Sequence, residues 1–183
     1  FDESAENLSG ETIDFQWGHH LAIGGPFIDG GTEIVVKNGE KIRIPNYPSP
    51  TYRFMADSDS EWPLAQDRNG EIVDVTVLPE SDSTDGHLIL GPMEEASVAL
   101  RNNDLKSEIR VTWDKKAVPY CWIWMVLGGI PDWPLWGRER LITIEPFSSP
   151  VISLTDAIIE GKTLRLNSQE KLTTWVRFEL AGN

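Results

Sequence analysis

The chain has 183 residues, 40% hydrophobic and 25% charged, which suits about one domain with a sizeable buried core. Its net charge of −13 and pI near 4.6 argue against a nucleic-acid partner, whose phosphate backbone calls for a basic stripe. The single cysteine, Cys121, excludes an internal disulfide and a cysteine-built metal cluster. No apolar run reaches the roughly 18 residues of a membrane span.

The start, "FDESAENLSGETIDF", has neither the basic nor the apolar segment of a signal peptide. With one cysteine and no membrane segment, a reducing, cytoplasmic setting is expected. "ENLSGETIDFQW" reads as a strand pair entered midway, so the chain is expected to be part of a longer one. Next, "TIDFQWGHH" alternates: Ile13, Phe15, Trp17 and His19 fall on one face, and Asp14, Gln16, Gly18 and His20 on the other. A regular strand there packs His19 and turns His20 toward solvent or a cleft, with Gly18 leaving room beside it for a ligand.

"TEIVVKNGEKIRIP" is two strand-like runs around Asn38-Gly39, a hairpin signal. "GEIVDVTVLP", "TDGHLIL" and "ASVALRNNDLKSEIRVTW" continue the pattern, the last with a turn at Asn102-Asn103-Asp104. "PYCWIWMVLGG", "RLITIEPF" and "EKLTTWVRFELAG" follow as further strands. The period is two throughout, and a helix is plausible only around 152–158. Many short strands broken by Gly, Pro and Asn indicate an all-β sandwich or barrel of mainly antiparallel strands, read as one domain over residues 1–183.

Three features carry candidate chemistry. In "LITIEPF", Ile142 and Ile144 take one face and Leu141, Thr143 and Glu145 the other. Between Ile144 and Pro146, Glu145 is either an exposed surface carboxylate or one that loses solvent and becomes a general base. His19 and His20 are either plain strand-end residues or a packed histidine beside a working one. "WMVLGGIPDWPLWGRER" carries Trp133 and Trp136 on a Gly/Pro-rich loop into the Glu145 strand. Such rings either pin the loop to the core or stack on the C–H face of a sugar.

Together "WGHHLAIGGPF", "GRERLITIEPFSSPVISLTDAI" and "GKTLRLNSQEKLTTWVRFEL" resemble the aldose 1-epimerase (galactose mutarotase-like) family over about residues 6–180. The resemblance implies a β-supersandwich and interconversion of the α and β anomers of an aldose, with no cofactor and no metal. It puts the catalytic acid on His20 and the base on Glu145. Substrate contacts fall on Asp85 and His87 of "TDGHLIL", on Trp124 and on Trp136. The family's domain is longer and adds a histidine and an arginine from before Phe1, so the chain corresponds to its larger, C-terminal part. An open strand edge is then expected to favour self-association. "LAIGG" after His20 departs from the galactose enzymes, and no arginine-rich phosphate site like that of the hexose-6-phosphate mutarotases is evident. The implied partner is a small-molecule aldose or sugar derivative, with no nucleic acid and no membrane. A non-catalytic sugar-binding or regulatory module on the same scaffold is the alternative. A glycosidase-type accessory domain is weaker, because no paired carboxylates stand at plausible sites.

Overall fold

The computed structural model describes residues 1–29, 31–37, 39–79 and 83–182. In chain order the strands are β1 (Asp2–Glu6), β2 (Ile13–Phe15), β3 (Leu21–Gly24), β4 (Thr32–Val35), β5 (Lys41–Ile44), β6 (Ser58–Glu61), β7 (Leu64–Gln66) and β8 (Ile72–Asp74). Then come β9 (Thr84–Leu90), β10 (Ser97–Asn102), β11 (Ser107–Trp113), β12 (Tyr120–Leu127) and β13 (Arg140–Phe147). The helix α1 (Leu154–Ile159) and the strands β14 (Leu164–Leu166) and β15 (Lys171–Gly182) complete the chain. Neighbouring strands of the ladders run antiparallel, as the period-two pattern predicts.

Two sheets make the sandwich. One has the order β1-β15-β11-β10-β4, the other β3-β13-β12-β9-β5-β6-β7-β8; β14 and β2 pair separately. Alternation explains the core. Ile42, Leu88, Ile123, Met125, Ile142 and Ile144 point inward from the large sheet. They meet Ile34, Val98, Leu100, Val111 and Val176 from the small one. Each such side chain contributes about 1.5–3 kcal/mol when removed from water. Cys121 sits on this inner face, where burial pushes its thiol pKa up. Among the described residues no helix is long and apolar enough to cross a membrane.

Three local expectations are corrected. Asn38 lies outside the described residues, and the strands flanking Asn38-Gly39 do not form a hairpin. β4 pairs with β10 in the small sheet, whereas β5 pairs with β6 and β9 in the large one. The chain crosses between layers so that Ile34 and Ile42 both reach the core. The crossing is held by Glu40, a buried carboxylate that accepts the backbone N–H groups of Glu94 (2.9 Å) and Glu95 (3.4 Å). The expected N-terminal strand pair is likewise absent as a pair: β1 lies against β15 and β2 against β14. Finally, residues 13–20 are not one regular strand, because β2 ends at Phe15 and β3 begins at Leu21.

Candidate functional site

The outer face of the large sheet carries the site, and the ladder register puts its residues in rows. Trp124 on β12 lies between His87 on β9 and Thr143 on β13. One row along, Trp122 lies between Ile89 and Glu145, and Ile89 pairs in turn with Arg43 of β5. Paired residues of an antiparallel ladder share a face, so all of these project the same way.

His20 reaches this face by a crossing rather than by strand alternation. After β2, Trp17 N–H donates to Ser148 Oγ (2.9 Å) and Ser148 N–H to the Trp17 carbonyl (2.8 Å). Gly18 bridges Phe147, and His19 N–H donates to the Pro146 carbonyl (3.0 Å). β3 then starts with Leu21 opposite Ile144, which leaves His20 beside Glu145. Its Nδ1 stands 2.8 Å from Glu145 Oε1, with side chains 60% and 12% exposed respectively. Thr143 Oγ1 donates a 2.6 Å hydrogen bond to the same Oε1. Both contacts fall on the one oxygen Oε1.

The neighbouring histidine has a different job. His19 Nε2 lies 3.2 Å from Glu3 Oε2 on β1, near enough for an ion pair though out of line for a hydrogen bond. Its side chain is 14% exposed. The expected contrast between His19 and His20 therefore appears, by the route through β13 described above. Gly18, expected to leave room for a ligand, leaves room for Phe147 instead: a Cβ there would fall inside the Phe147 ring. That ring packs on Trp122 at 4.8 Å. A cavity of about 230 Å³, bounded by Glu3, His19, His20, Leu21 and Phe178, opens beside the histidines.

Aromatic packing assembles the rest. His87 stacks on Trp124 with ring centroids 5.4 Å apart and planes 9° from parallel. His20 meets Trp124 from the other side at 6.2 Å, and Tyr47 covers His87 at 4.6 Å. Burial between these rings lowers the His87 pKa from 6.5 to about 4, a pull that the nearby Asp85 charge only partly opposes. Asp85 is buried, and its Oδ1 accepts hydrogen bonds from Ser49 Oγ and Thr51 Oγ1, both 2.6 Å. Its Oδ2, together with His87 Nδ1 and Trp124 Nε1, is buried without a hydrogen-bond partner among the described residues. Asp85 and His87 stand two residues apart on β9, and Trp124 pairs with His87 across the ladder.

The structure thus brings His20, Glu145, His87 and Trp124 together, and sets Asp85 on the floor beside them. It does not bring in Trp136. That ring is 58% exposed on the loop between β12 and β13, and no ring contact ties it to the others among the described residues. The loop is closed by its own backbone, Gly128 N–H to Glu139 O and Gly137 N–H to Ile130 O, so its tryptophans do not pin it. Sequence reading missed Tyr47, Ser49 and Thr51. Their signal was the Pro- and Tyr-rich stretch "PNYPSPTY", which has no strand period. Among the described residues no three His, Cys, Asp or Glu side chains converge as a metal-binding group.

No protein-family model and no curated protein matches the sequence. Solved structures do match its fold. A candidate aldose 1-epimerase from Klebsiella pneumoniae superposes on all of this chain with a TM-score of 0.67 at 14% identity. One from Escherichia coli K12 gives 0.60 at 14%, and a galactose mutarotase-like protein from Clostridium acetobutylicum gives 0.58 at 13%. The chain spans 42%, 55% and 52% of those three proteins, about half their length. The fold is therefore the galactose mutarotase-like β-sandwich.

Proposed function

We propose that this chain carries an aldose mutarotase site, which interconverts α and β anomers through ring opening. The observation that carries the reading is the 2.8 Å approach of His20 Nδ1 to Glu145 Oε1, on the outer face of a mutarotase-like sheet. Each group has a part for which its position suits it. Glu145 Oε2 takes the proton from the anomeric hydroxyl, the O1–H electrons form the C1=O1 double bond, and the C1–O5 bond breaks. O5 takes a proton from protonated His20. With Nδ1 against Glu145, Nε2 is the nitrogen left for O5. The free aldehyde turns about C1–C2, and closure on its other face returns both protons.

Thr143 fixes the carboxylate by its hydrogen bond to Oε1, and Trp124 gives His20 an apolar wall. His87, whose pKa burial lowers to about 4, packs on Trp124 beside the pair and completes its apolar wall. General acid–base transfer of this kind is worth roughly 10²–10⁴-fold per group. The test is anomer equilibration of freshly dissolved α-D-glucose and α-D-galactose by polarimetry, with and without the protein. A rate equal to that of buffer for every aldose tried overturns the reading.

A second reading is favoured by one observation: the His87–Trp124 stack and the hydrogen-bonded Asp85 make a binding surface that needs no proton transfer. A sugar-binding module would keep Trp124, His87 and Asp85 as contacts and make no use of the proton-transfer pair. Sugar binding that survives in the absence of any rate enhancement selects it.

A further inference from the structure

Two arginines that lie apart in the sequence meet beside β7. Phe54 bridges Asp67 antiparallel, with Met55 N–H donating to the Gln66 carbonyl (3.0 Å) and Arg68 N–H to the Arg53 carbonyl (2.9 Å). That register sets Arg53 directly opposite Arg68, so both side chains leave the same face. Both border one cavity of about 410 Å³, whose wall also carries Asp67, Asn69, Ser83 and Thr84. Like charges set directly opposite repel each other, and an anion between them turns repulsion into attraction.

Asp67 is the one carboxylate among the described residues that borders the cavity, and its own turn occupies it. Its Oδ1 accepts the backbone N–H groups of Asn69 (2.8 Å) and Glu71 (2.9 Å), and its Oδ2 accepts from Asn69 Nδ2 (3.3 Å). Arg68 is exposed and forms no ion pair among the described residues; its Nη1 makes one long hydrogen bond, 3.4 Å to the Pro50 carbonyl. Arg53 is held more firmly, with its guanidinium 5.3 Å from the centre of the Phe54 ring. We propose that this cavity binds a phosphate monoester, with the phosphoryl group between Arg53 and Arg68.

The lining suits that group. A guanidinium fork grips phosphate oxygens two at a time. The Asn69 amide and the Ser83 and Thr84 hydroxyls add neutral donors, so donors converge from three chain segments. Such convergence fits the three terminal oxygens of a phosphoryl group better than the two of a planar carboxylate. The cavity also leaves room for the esterified part. It stands apart from the reacting pair. From Glu145 the path runs two strands across, through Trp122 to Ile89, and five residues along β9 to Thr84. At the usual strand and residue spacings that is about 19 Å, more than one hexose phosphate spans. The phosphoryl group therefore belongs to a ligand other than a sugar held at His20 and Glu145.

Calorimetric titration of the whole chain tests the site, at constant ionic strength and above about pH 7, where a monoester is mostly a dianion. Phenyl phosphate, benzoate and inorganic phosphate are the probes; the first two share a ring and differ in the anion. Phenyl phosphate should bind saturably and about tenfold or more tighter than benzoate. Arg68→Ala, at an exposed position, should weaken it by about tenfold, and Thr84→Val should weaken it a few-fold. Glu145→Gln should bind it as the parent does. Equal binding of benzoate, an affinity unchanged in both Arg68→Ala and Thr84→Val, or loss of binding in Glu145→Gln overturns the proposal. Binding of inorganic phosphate without phenyl phosphate overturns the monoester as ligand, and absence of saturable binding by every probe overturns the site.

Discussion

Replacing Glu145 with Gln tests the reaction with little disturbance to its frame. Oε1 holds both contacts of the carboxylate, the 2.6 Å hydrogen bond from Thr143 and the 2.8 Å approach of His20. A glutamine carbonyl placed there still accepts from Thr143, and the amide nitrogen replaces Oε2. The variant loses a charge-assisted contact, about 1 kcal/mol of stability, and keeps its shape. The base, however, is gone. A loss of 10²–10⁴ in the catalysed rate is expected, which at 1.36 kcal/mol per tenfold raises the barrier by about 3–5 kcal/mol. Polarimetry of α-D-glucose and of maltose gives the rate, with buffer-catalysed mutarotation as the floor, and calorimetry gives sugar affinity. The expected result is a rate at the floor with affinity within a few-fold of the parent. A Gln variant that equilibrates either sugar at the parent's rate would refute the assignment of Glu145 as the base.

Other consequences are open to direct measurement. His20→Asn should fall to the same floor through loss of the acid, and a variant at the parent's rate removes His20 from the mechanism. Gly18→Ala must displace the Phe147 ring, at about 1–3 kcal/mol by the usual cost of overpacking, and should lower both the unfolding midpoint and the rate; an unchanged midpoint refutes the close approach. Because burial lowers His87 from 6.5 to about 4, the unfolded chain binds more protons between those values. Stability is therefore full above about pH 6.5 and should fall by up to about 3 kcal/mol by pH 4, a slope that His87→Phe should flatten in denaturant titrations. Phe178 and Leu180 are exposed on β15, beyond the stretch Lys171–Trp175 that β1 covers, so concentration-dependent self-association is expected. Sedimentation should show it weakened by Leu180→Lys, and a parent that stays monomeric at high concentration refutes it.

The strands were legible because the apolar period of two acts locally. Ile42 and Ile44, or Ile142 and Ile144, mark a buried face wherever the strand is placed. Pairing was not legible in the same way. Asn38-Gly39 states a preference for a turn, yet whether Thr32–Val35 and Lys41–Ile44 pair across it depends on where each finds its longest apolar partner. Here β10 and β9 supply those partners from different sheets.

The site shows the same division at higher resolution. The side on which Glu145 points followed from its own strand, since Ile144 had to face the core. The position of His20 did not, because it depends on backbone contacts of Trp17 and His19 with Ser148 and Pro146, far along the chain. Tyr47, Ser49 and Thr51 escaped notice for a related reason. They sit in a segment without a strand period and gain meaning only where Asp85 and His87 arrive. Those arrivals also explain the unpartnered Asp85 Oδ2, His87 Nδ1 and Trp124 Nε1. A fold with a core this apolar has no packing need for three polar atoms on one covered face, and each left unpaired costs on the order of 1–3 kcal/mol.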